Sequence, residues 1–317
     1  METIEVFIDV TILEPRMKHP TIFARFDELQ GGESLIIHND HDPKPVYYQL
    51  LGERGNIFKW EYLEQGPEIW EVRITKNTAE EGETIGELVA KDYRKAQVFK
   101  KYGLDFCCGG KKSVKAACEE KGIDADKVEA ELNAFTETPA TKTENYDNWG
   151  LGFLGDYIVN KHHAYVRESI PALTEYTTKI ARVHGGRHPE LVEVAKHFAA
   201  VAAELTSHMP KEERILFPYI KQMEEAKKNG TTMDRPAFGT IQSPINMMEM
   251  EHTAAGGDME GIRTLTQNYE LPADACATYR VAFSKLQEFE DDLFNHIHLE
   301  NNILFPKAIA LEKELFA

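Results

Sequence analysis

Hydrophobic residues in the second half of the chain recur with a helical period. From about Trp149 onward this spacing predicts long helices near 151–183, 189–228, 244–268 and 273–314. His184-Gly185-Gly186, Asn229-Gly230 and Leu271-Pro272 break the pattern between them. Four such helices joined by modest loops predict a bundle. Residues 84–136 read as a small helical module. Thr84 and Glu87 fit a capping box ahead of Ile85, Leu88, Val89 and Tyr93. Phe106-Cys107-Cys108-Gly109-Gly110 interrupts the module, and further helices follow from Ser113 and over Asp126 to Phe135. Residues 1–76 change texture again. Glu5 to Ile8, Ser34 to Ile37 and Ile69 to Ile74 read as strands. A helical run at Ile22 to Phe26, opened by His19-Pro20-Thr21, and another at Val46 to Leu51 lie between them. That order predicts a small two-layer α/β domain. Polar stretches at 78–83 and 136–148 read as linkers. The fold class is therefore mainly α, with three domains at 1–76, 84–136 and 149–317.

The charge narrows the partners. With 36 basic and 53 acidic residues the formal net charge is −17, which argues against nucleic acid or an anionic membrane. No apolar run approaches a membrane span. METIEVFIDV has no basic leader, so the expected location is cytoplasmic. Four cysteines, Cys107, Cys108, Cys118 and Cys276, are too few for a secreted disulfide framework.

The bundle contains an ungapped repeat. His208-x3-Glu212-x2-Ile215-Leu216-Phe217-Pro218 matches His296-x3-Glu300-x2-Ile303-Leu304-Phe305-Pro306. A histidine precedes each copy at nearly equal distance: His163 lies 45 residues before His208, and His252 lies 44 before His296. Residues four apart share a helix face. His163 lies on the stripe Val159, Val166, Ile170, Leu173, and His252 on Ile245, Met248, Ala255, Met259. The polar residues therefore point into the core, where unpaired carboxylates are costly. Two metal ions would resolve that cost, each bound by two imidazoles, with Glu212 and Glu300 bridging them. Imidazoles disfavour magnesium and calcium, while iron, zinc and manganese all fit this donor set.

Other polar residues read differently. His162 and His298 should point aside, and His197 is assigned no ligand role. His184 stands at a helix end, either as a further ligand, as support for one, or as a loop residue. Glu251 beside His252 is a further ligand or supports one, lines an exit route, or is a surface acid. Cys107-Cys108, before Lys111, Lys112 and a helix start, reads as a reactive thiol pair. Cys118 and Cys276 read as packing residues, and His38-Asn39-Asp40-His41-Asp42 as a polar turn. Pro210, between His208 and Glu212, should disturb the helix there.

These motifs resemble the repair-of-iron-centres family of hemerythrin-like di-iron proteins over about 84–317. The resemblance rests on Tyr102 to Lys111, Ser207 to Met209, Glu212 to Pro218, Glu251-His252, Asp291 to His296, Leu299 to Asn302 and Leu304 to Pro306. It places the six metal ligands on His163, His208, Glu212, His252, His296 and Glu300, and a further family histidine on His184. It implies two iron ions, carboxylate-bridged and oxo-bridged, in a cytoplasmic homodimer. The implied function is repair of iron–sulfur clusters damaged by nitric oxide or peroxide, through iron donation or NO reduction. Damaged iron–sulfur proteins or a cluster-assembly scaffold are the implied partners. The alternatives are a hemerythrin-like O2 or NO sensor or storage module, and a di-metal oxidoreductase. Residues 1–76 resemble a sulfur-carrier-like domain fused to hemerythrin-like and cupin proteins. Oxygen-carrying hemerythrins have a histidine where this chain has Met248, one turn before His252. The missing nitrogen ligand favours a more labile iron.

Overall fold

A computed structural model describes residues 5–54, 58–76, 83–136 and 146–316. The linkers read at 78–83 and 136–148 fall largely outside the described residues. The chain divides into two compact units, Met1–Glu81 and Gly82–Ala317.

The first unit runs β1 (Glu5–Asp9), α1 (Pro15–Glu28), β2 (Ser34–Asn39), α2 (Lys44–Arg54), β3 (Phe58–Gln65) and β4 (Trp70–Lys76). The sheet order is β1-β2-β4-β3; β1 pairs parallel with β2, and the other two pairings are antiparallel. Its core joins Ile22, Phe23 and Phe26 of α1 to Leu35 and Ile37 of β2 and to Val72 and Ile74 of β4. Two features differ from the sequence expectation. Helix α1 begins at Pro15, a residue suited to the first helical turn, and runs through Pro20, which is exposed. Strand β3 was not anticipated, although Phe58, Trp60 and Tyr62 alternate along it.

The second unit opens with α3 (Ile85–Lys91), α4 (Lys95–Lys101), α5 (Val114–Lys121) and α6 (Ala125–Thr136). The Thr84–Glu87 capping box is formed: Glu87 N–H donates to Thr84 Oγ1 at 3.2 Å, and Thr84 N–H donates to Glu87 Oε2 at 2.8 Å. The four long helical stretches are present, three of them interrupted. The first is α7 (Leu151–Tyr157), a π-turn at Ile158–His163, and α8 (Ala164–His184). The second is α9 (Glu190–Lys211), a π-turn at Glu212–Leu216, and α10 (Phe217–Asn229). The third is α11 (Gln242–Leu265). The fourth is α12 (Ala277–Leu299), a π-turn at Glu300–Leu304, and α13 (Phe305–Leu315).

Helix α11 stops at Leu265 because Gln267, Asn268 and Tyr269 all take left-handed φ angles. Proline accounts for two of the π-turns. Pro218 and Pro306 would drive their rings into the carbonyls of Arg214 and Asn302 in a regular α-helix. A wider turn relieves the clash. The cost of Pro210 is absorbed within α9, which stays helical to Lys211, one residue before the π-turn.

Segment 84–136 shares one apolar core with the bundle: Phe99, Phe106, Cys118 and Leu132 belong to the cluster of Phe198, Phe289 and Leu293. A second cluster gathers Leu154, Phe217, Met248, Leu304 and Phe305. Buried Glu312 closes that end, accepting from Ile241 N–H at 2.9 Å and Tyr219 O–H at 3.0 Å, and so caps the start of α11. Glu312→Ala is expected to lower stability by about 1–3 kcal/mol, the cost of a buried unpaired donor. Urea denaturation of the full chain measures it. No helix among the described residues is long and apolar enough to cross a membrane.

Candidate metal centre

Each π-turn carries a residue of the polar core: His163 ends the first, Glu212 opens the second and Glu300 opens the third. Such turns concentrate at functional sites. Each inserts one residue and rotates the downstream helix by roughly 100°. Helix α9 supplies His208 one turn before Glu212, α12 supplies His296 one turn before Glu300, and α11 supplies His252.

All six predicted ligands converge, and none is more than 1% exposed. They form two four-residue groups, His163, Glu212, His296, Glu300 and His208, Glu212, His252, Glu300. Both groups contain both carboxylates. Glu212 Oε2 lies 3.4 Å from His163 Nε2 and 3.2 Å from His208 Nε2. Glu300 Oε1 lies 3.1 Å from His296 Nε2, and its Oε2 lies 3.2 Å from His252 Nε2. Each carboxylate thus spans the two groups.

The nitrogen geometry fits metal binding. His163 Nε2 and His296 Nε2 are 3.2 Å apart, and His208 Nε2 and His252 Nε2 are 3.0 Å apart. Two cis ligands at metal–nitrogen distances of about 2.1 Å lie about 3.0 Å apart. Both Glu212 oxygens and Glu300 Oε2 are buried without a hydrogen-bond partner. Buried carboxylate oxygens aimed at paired imidazole nitrogens are a donor set that could hold metal cations.

The same proximity couples the charges of the bare side chains. Burial pulls His163 and His208 down, but Glu212 and Glu300, with Glu251 beside His208, outweigh it and raise them to about 9 and about 10. Burial lowers His296. Burial and the neighbouring Glu300 charge push Glu212 up, but His208 and His163 hold it below the usual carboxylate range. Glu300 is held further below, by His296 and the other site histidines against its own burial.

Neighbouring residues fix the rings. His163 Nδ1–H donates to Glu213 Oε1 at 2.7 Å, and Arg167 pairs with the same carboxylate. His208 Nδ1–H donates to Glu251 Oε2 at 2.7 Å, with Lys211 on its other oxygen. His252 Nδ1–H donates to Asn301 Oδ1 at 2.9 Å. Three Nε2 atoms are thereby turned toward Glu212 and Glu300. His296 is held by stacking on His162, at 5.7 Å between ring centroids and 12° between planes.

Asn301 also reaches the cysteine loop, donating from Nδ2 to the Cys107 carbonyl at 3.4 Å. Asn302 Nδ2 donates to the Phe106 carbonyl at 3.2 Å. Asn301→Ala is expected to weaken metal affinity by about 10- to 100-fold. Competition against a chromophoric chelator measures this, and unchanged affinity would contradict the positioning role.

Several sequence expectations need correction. His162 is buried, not on the surface, and bonds Asp292 at 2.9 Å, because it lies within a π-turn. His298 is also buried, accepts from Asn302 at 3.0 Å, and is pushed down to about 4 by burial. His184 is absent from both ligand groups. It ends α8, 21 residues from His163 and so about 30 Å along the helix, with its Nε2 3.2 Å from Cys276 Sγ. Cys276 is therefore not a packing residue: it is exposed, whereas Cys118 is buried. Of the places open to Glu251, the structure shows the supporting one, against the ring of His208. Lys111 and Lys112 pair with Glu249 and Glu120 instead of the thiols. Cys107 is buried and pushed well above the usual thiol range by its hydrogen bond with Cys108 and by burial. In the first unit His38 pairs with Glu71, His41 with Asp40, and Asp42 with Tyr62.

Glu213 and Asn301 were not anticipated. Each directly follows one of the repeat's glutamates, so the repeat itself pointed to them.

A buried histidine–glutamate cluster between helices defines a cation-binding bundle of the hemerythrin type. The family model described as hemerythrin HHE cation binding domain matches residues 154–308. A domain of unknown function (DUF542) matches 81–136, and an uncharacterized conserved protein family (DUF2249) matches 7–76. The chain belongs to the family of the iron-sulfur cluster repair protein YtfE. It is 41% identical to the relative from Enterobacter over 228 residues, covering 72% of this chain and 97% of that protein. The Cronobacter sakazakii relative is 41% identical over 229 residues, and one from Escherichia coli 39% over 228, with the same two coverages.

Proposed function

We propose that the chain holds two iron ions between Glu212 and Glu300 and repairs iron–sulfur clusters damaged under nitrosative or oxidative stress. The observation that carries this reading is the sharing of both buried carboxylates by two histidine pairs in a dry core. The function for which the relatives are named, iron–sulfur cluster repair, agrees with it.

Bound there, iron supplies one-electron redox chemistry and exchangeable positions for a diatomic ligand such as NO. The chain's own residues set the terms. Glu213, Glu251 and Asn301 keep three imidazoles aimed inward, and the surrounding phenylalanines keep bulk water out. Met248, buried one turn before His252, contributes no nitrogen, so one position has fewer strong ligands. That favours iron as cargo delivered to a damaged cluster protein over reversible oxygen carriage. On this reading the protein works in the cytoplasm, as a homodimer, on cluster-containing enzymes.

The test uses a cluster-dependent dehydratase inactivated by nitric oxide. Iron-loaded protein is expected to restore its activity where the same concentration of free ferrous iron does not. Equal recovery with free iron would contradict repair. Reversible O2 spectra with no loss of iron would instead support the sensing alternative.

A further inference from the structure

The loop after α4 holds a further group of metal-ligating side chains, apart from the histidine–glutamate centre. Asp105, Cys107 and Cys108 each place one donor atom within 4.8 Å of the other two. Cys107 Sγ lies 3.9 Å from Cys108 Sγ and 3.1 Å from Asp105 Oδ1. Two sulfurs 3.9 Å apart, each about 2.3 Å from a shared ion, subtend about 116° there, close to a tetrahedral angle. The sulfur–oxygen separation is about 0.5 Å less than a tetrahedral ion with these ligands needs. A small turn of the Cys107 side chain supplies that difference.

The backbone fixes the carboxylate beside both sulfurs. Asp105 Oδ1 accepts from the N–H groups of Cys107 at 2.9 Å and Cys108 at 3.0 Å, and Oδ2 accepts from Gly109 N–H at 2.9 Å. Carboxylates that ligate metals are themselves held by hydrogen bonds of this kind. The third contact on Oδ1 is the Cys107 thiol, so a metal ion can enter where the S–H hydrogen now lies. Glycine lets the loop close this tightly: a Cβ on Gly109 would sit 2.8 Å from the Asp105 carbonyl oxygen.

The group is reachable. All three side chains line a cavity of about 450 Å3 that also touches α11 and α12. Cys107 is 3% exposed and Cys108 is half-buried, so an ion enters past Cys108. Across from that sulfur α11 presents Gly256, where even a Cβ would lie 3.5 Å from Cys108 Sγ. The basic residues lining the cavity are each paired with a carboxylate, as Lys101 is with Glu131 and Arg263 with Glu290. None stands free to repel a cation or to neutralise a thiolate.

We propose that Asp105, Cys107 and Cys108 form a separate, sulfur-rich site for one zinc ion. Soft thiolates select zinc over magnesium, calcium or manganese, and the carboxylate oxygen sets the group apart from a site for monovalent copper. Three protein ligands leave a fourth tetrahedral position open toward the cavity, through which the ion exchanges with solution. On binding, two S–H bonds give way to two Zn–S bonds and two protons pass to solvent, with no change of oxidation state. The inference uses none of the six residues of the histidine–glutamate centre.

The test adds one equivalent of zinc to the reduced, iron-loaded full chain and reads the ion's neighbours by X-ray absorption at the zinc edge. The histidine–glutamate centre contains no sulfur, so a sulfur shell identifies the cysteine site. Two sulfur neighbours at about 2.3 Å are expected. Cys108→Ser should leave one sulfur neighbour at most and weaken zinc binding by more than about 100-fold in competition with a chromophoric chelator, a larger loss than removal of a supporting residue causes. Cys276→Ser, which alters an exposed thiol outside the cavity, should change neither result. Zinc surrounded by nitrogen and oxygen alone, or two sulfur neighbours that survive Cys108→Ser, would overturn the proposal.

Discussion

Glu300→Ala is expected to empty both metal positions, not one. Glu300 places Oε1 beside His296 and Oε2 beside His252, and those histidines belong to different four-residue groups. On the proposed two-ion reading, its removal takes one anionic ligand from each ion at once. Glu212 cannot compensate, because it already spans His163 and His208. The loss should exceed the roughly 100-fold change seen when a residue that merely supports a ligand is removed. Metal per chain should fall from about two toward zero, the stoichiometry expected where two carboxylates bridge a pair of ions. Glu213→Gln is the comparison: it keeps a hydrogen-bond acceptor for His163 and should retain most of the metal. Elemental analysis of both variants measures this, with circular dichroism checking that the helices persist. Retention of one ion per chain in Glu300→Ala would show that the two groups are independent.

The second large effect is on stability. Two fully buried carboxylates stand among four buried imidazoles, and three of the carboxylate oxygens have no hydrogen-bond partner. Metal binds this arrangement in the folded state and has no matching site in the unfolded chain, so its binding free energy adds to folding. At a free metal concentration of about 1,000 times Kd, each ion contributes about 4 kcal/mol. In a unit of this size that raises Tm by roughly 8–16 °C per ion. Chelation should therefore lower the melting temperature of the unit Gly82–Ala317 by at least about 10 °C. The transition of the unit Met1–Glu81 should not move, since the candidate metal groups all lie in the other unit. Scanning calorimetry with and without chelator resolves the two. An unshifted bundle transition would mean that the core is stable without cations.

Much of the centre was legible because its signal is periodic. The ungapped repeat His-x3-Glu-x2-Ile-Leu-Phe-Pro, with a histidine about 44 residues upstream of each copy, marked all six residues that converge. The long helices were legible for the same reason, since apolar residues recur along each of them at helical spacing. What failed was the assignment of faces near the π-turns. A π-turn adds a residue and shifts the phase, so His162, read as outward-facing, is buried. Pro218 and Pro306 explain two of the turns, but residues 158–163 contain no proline to announce the first. His184 shows a different failure. Its position in the chain matched that of a family histidine, but position says nothing about the 21-residue helix that carries it away from the histidine–glutamate cluster. Strand β3 was missed although its aromatics alternate, because Lys59, Glu61 and Glu64 make the segment look like surface. The partnership of Cys276 with His184 joins residues 92 apart, and no local pattern encodes it.

The most direct measurement is anomalous diffraction at the iron absorption edge, from crystals of protein produced with ample iron. Two peaks are predicted about 3.5–4 Å apart, the spacing of two-metal sites. One should lie between His163 and His296, the other between His208 and His252, with Glu212 and Glu300 reaching both. A single peak, or iron bound anywhere other than among these six side chains, would contradict the account.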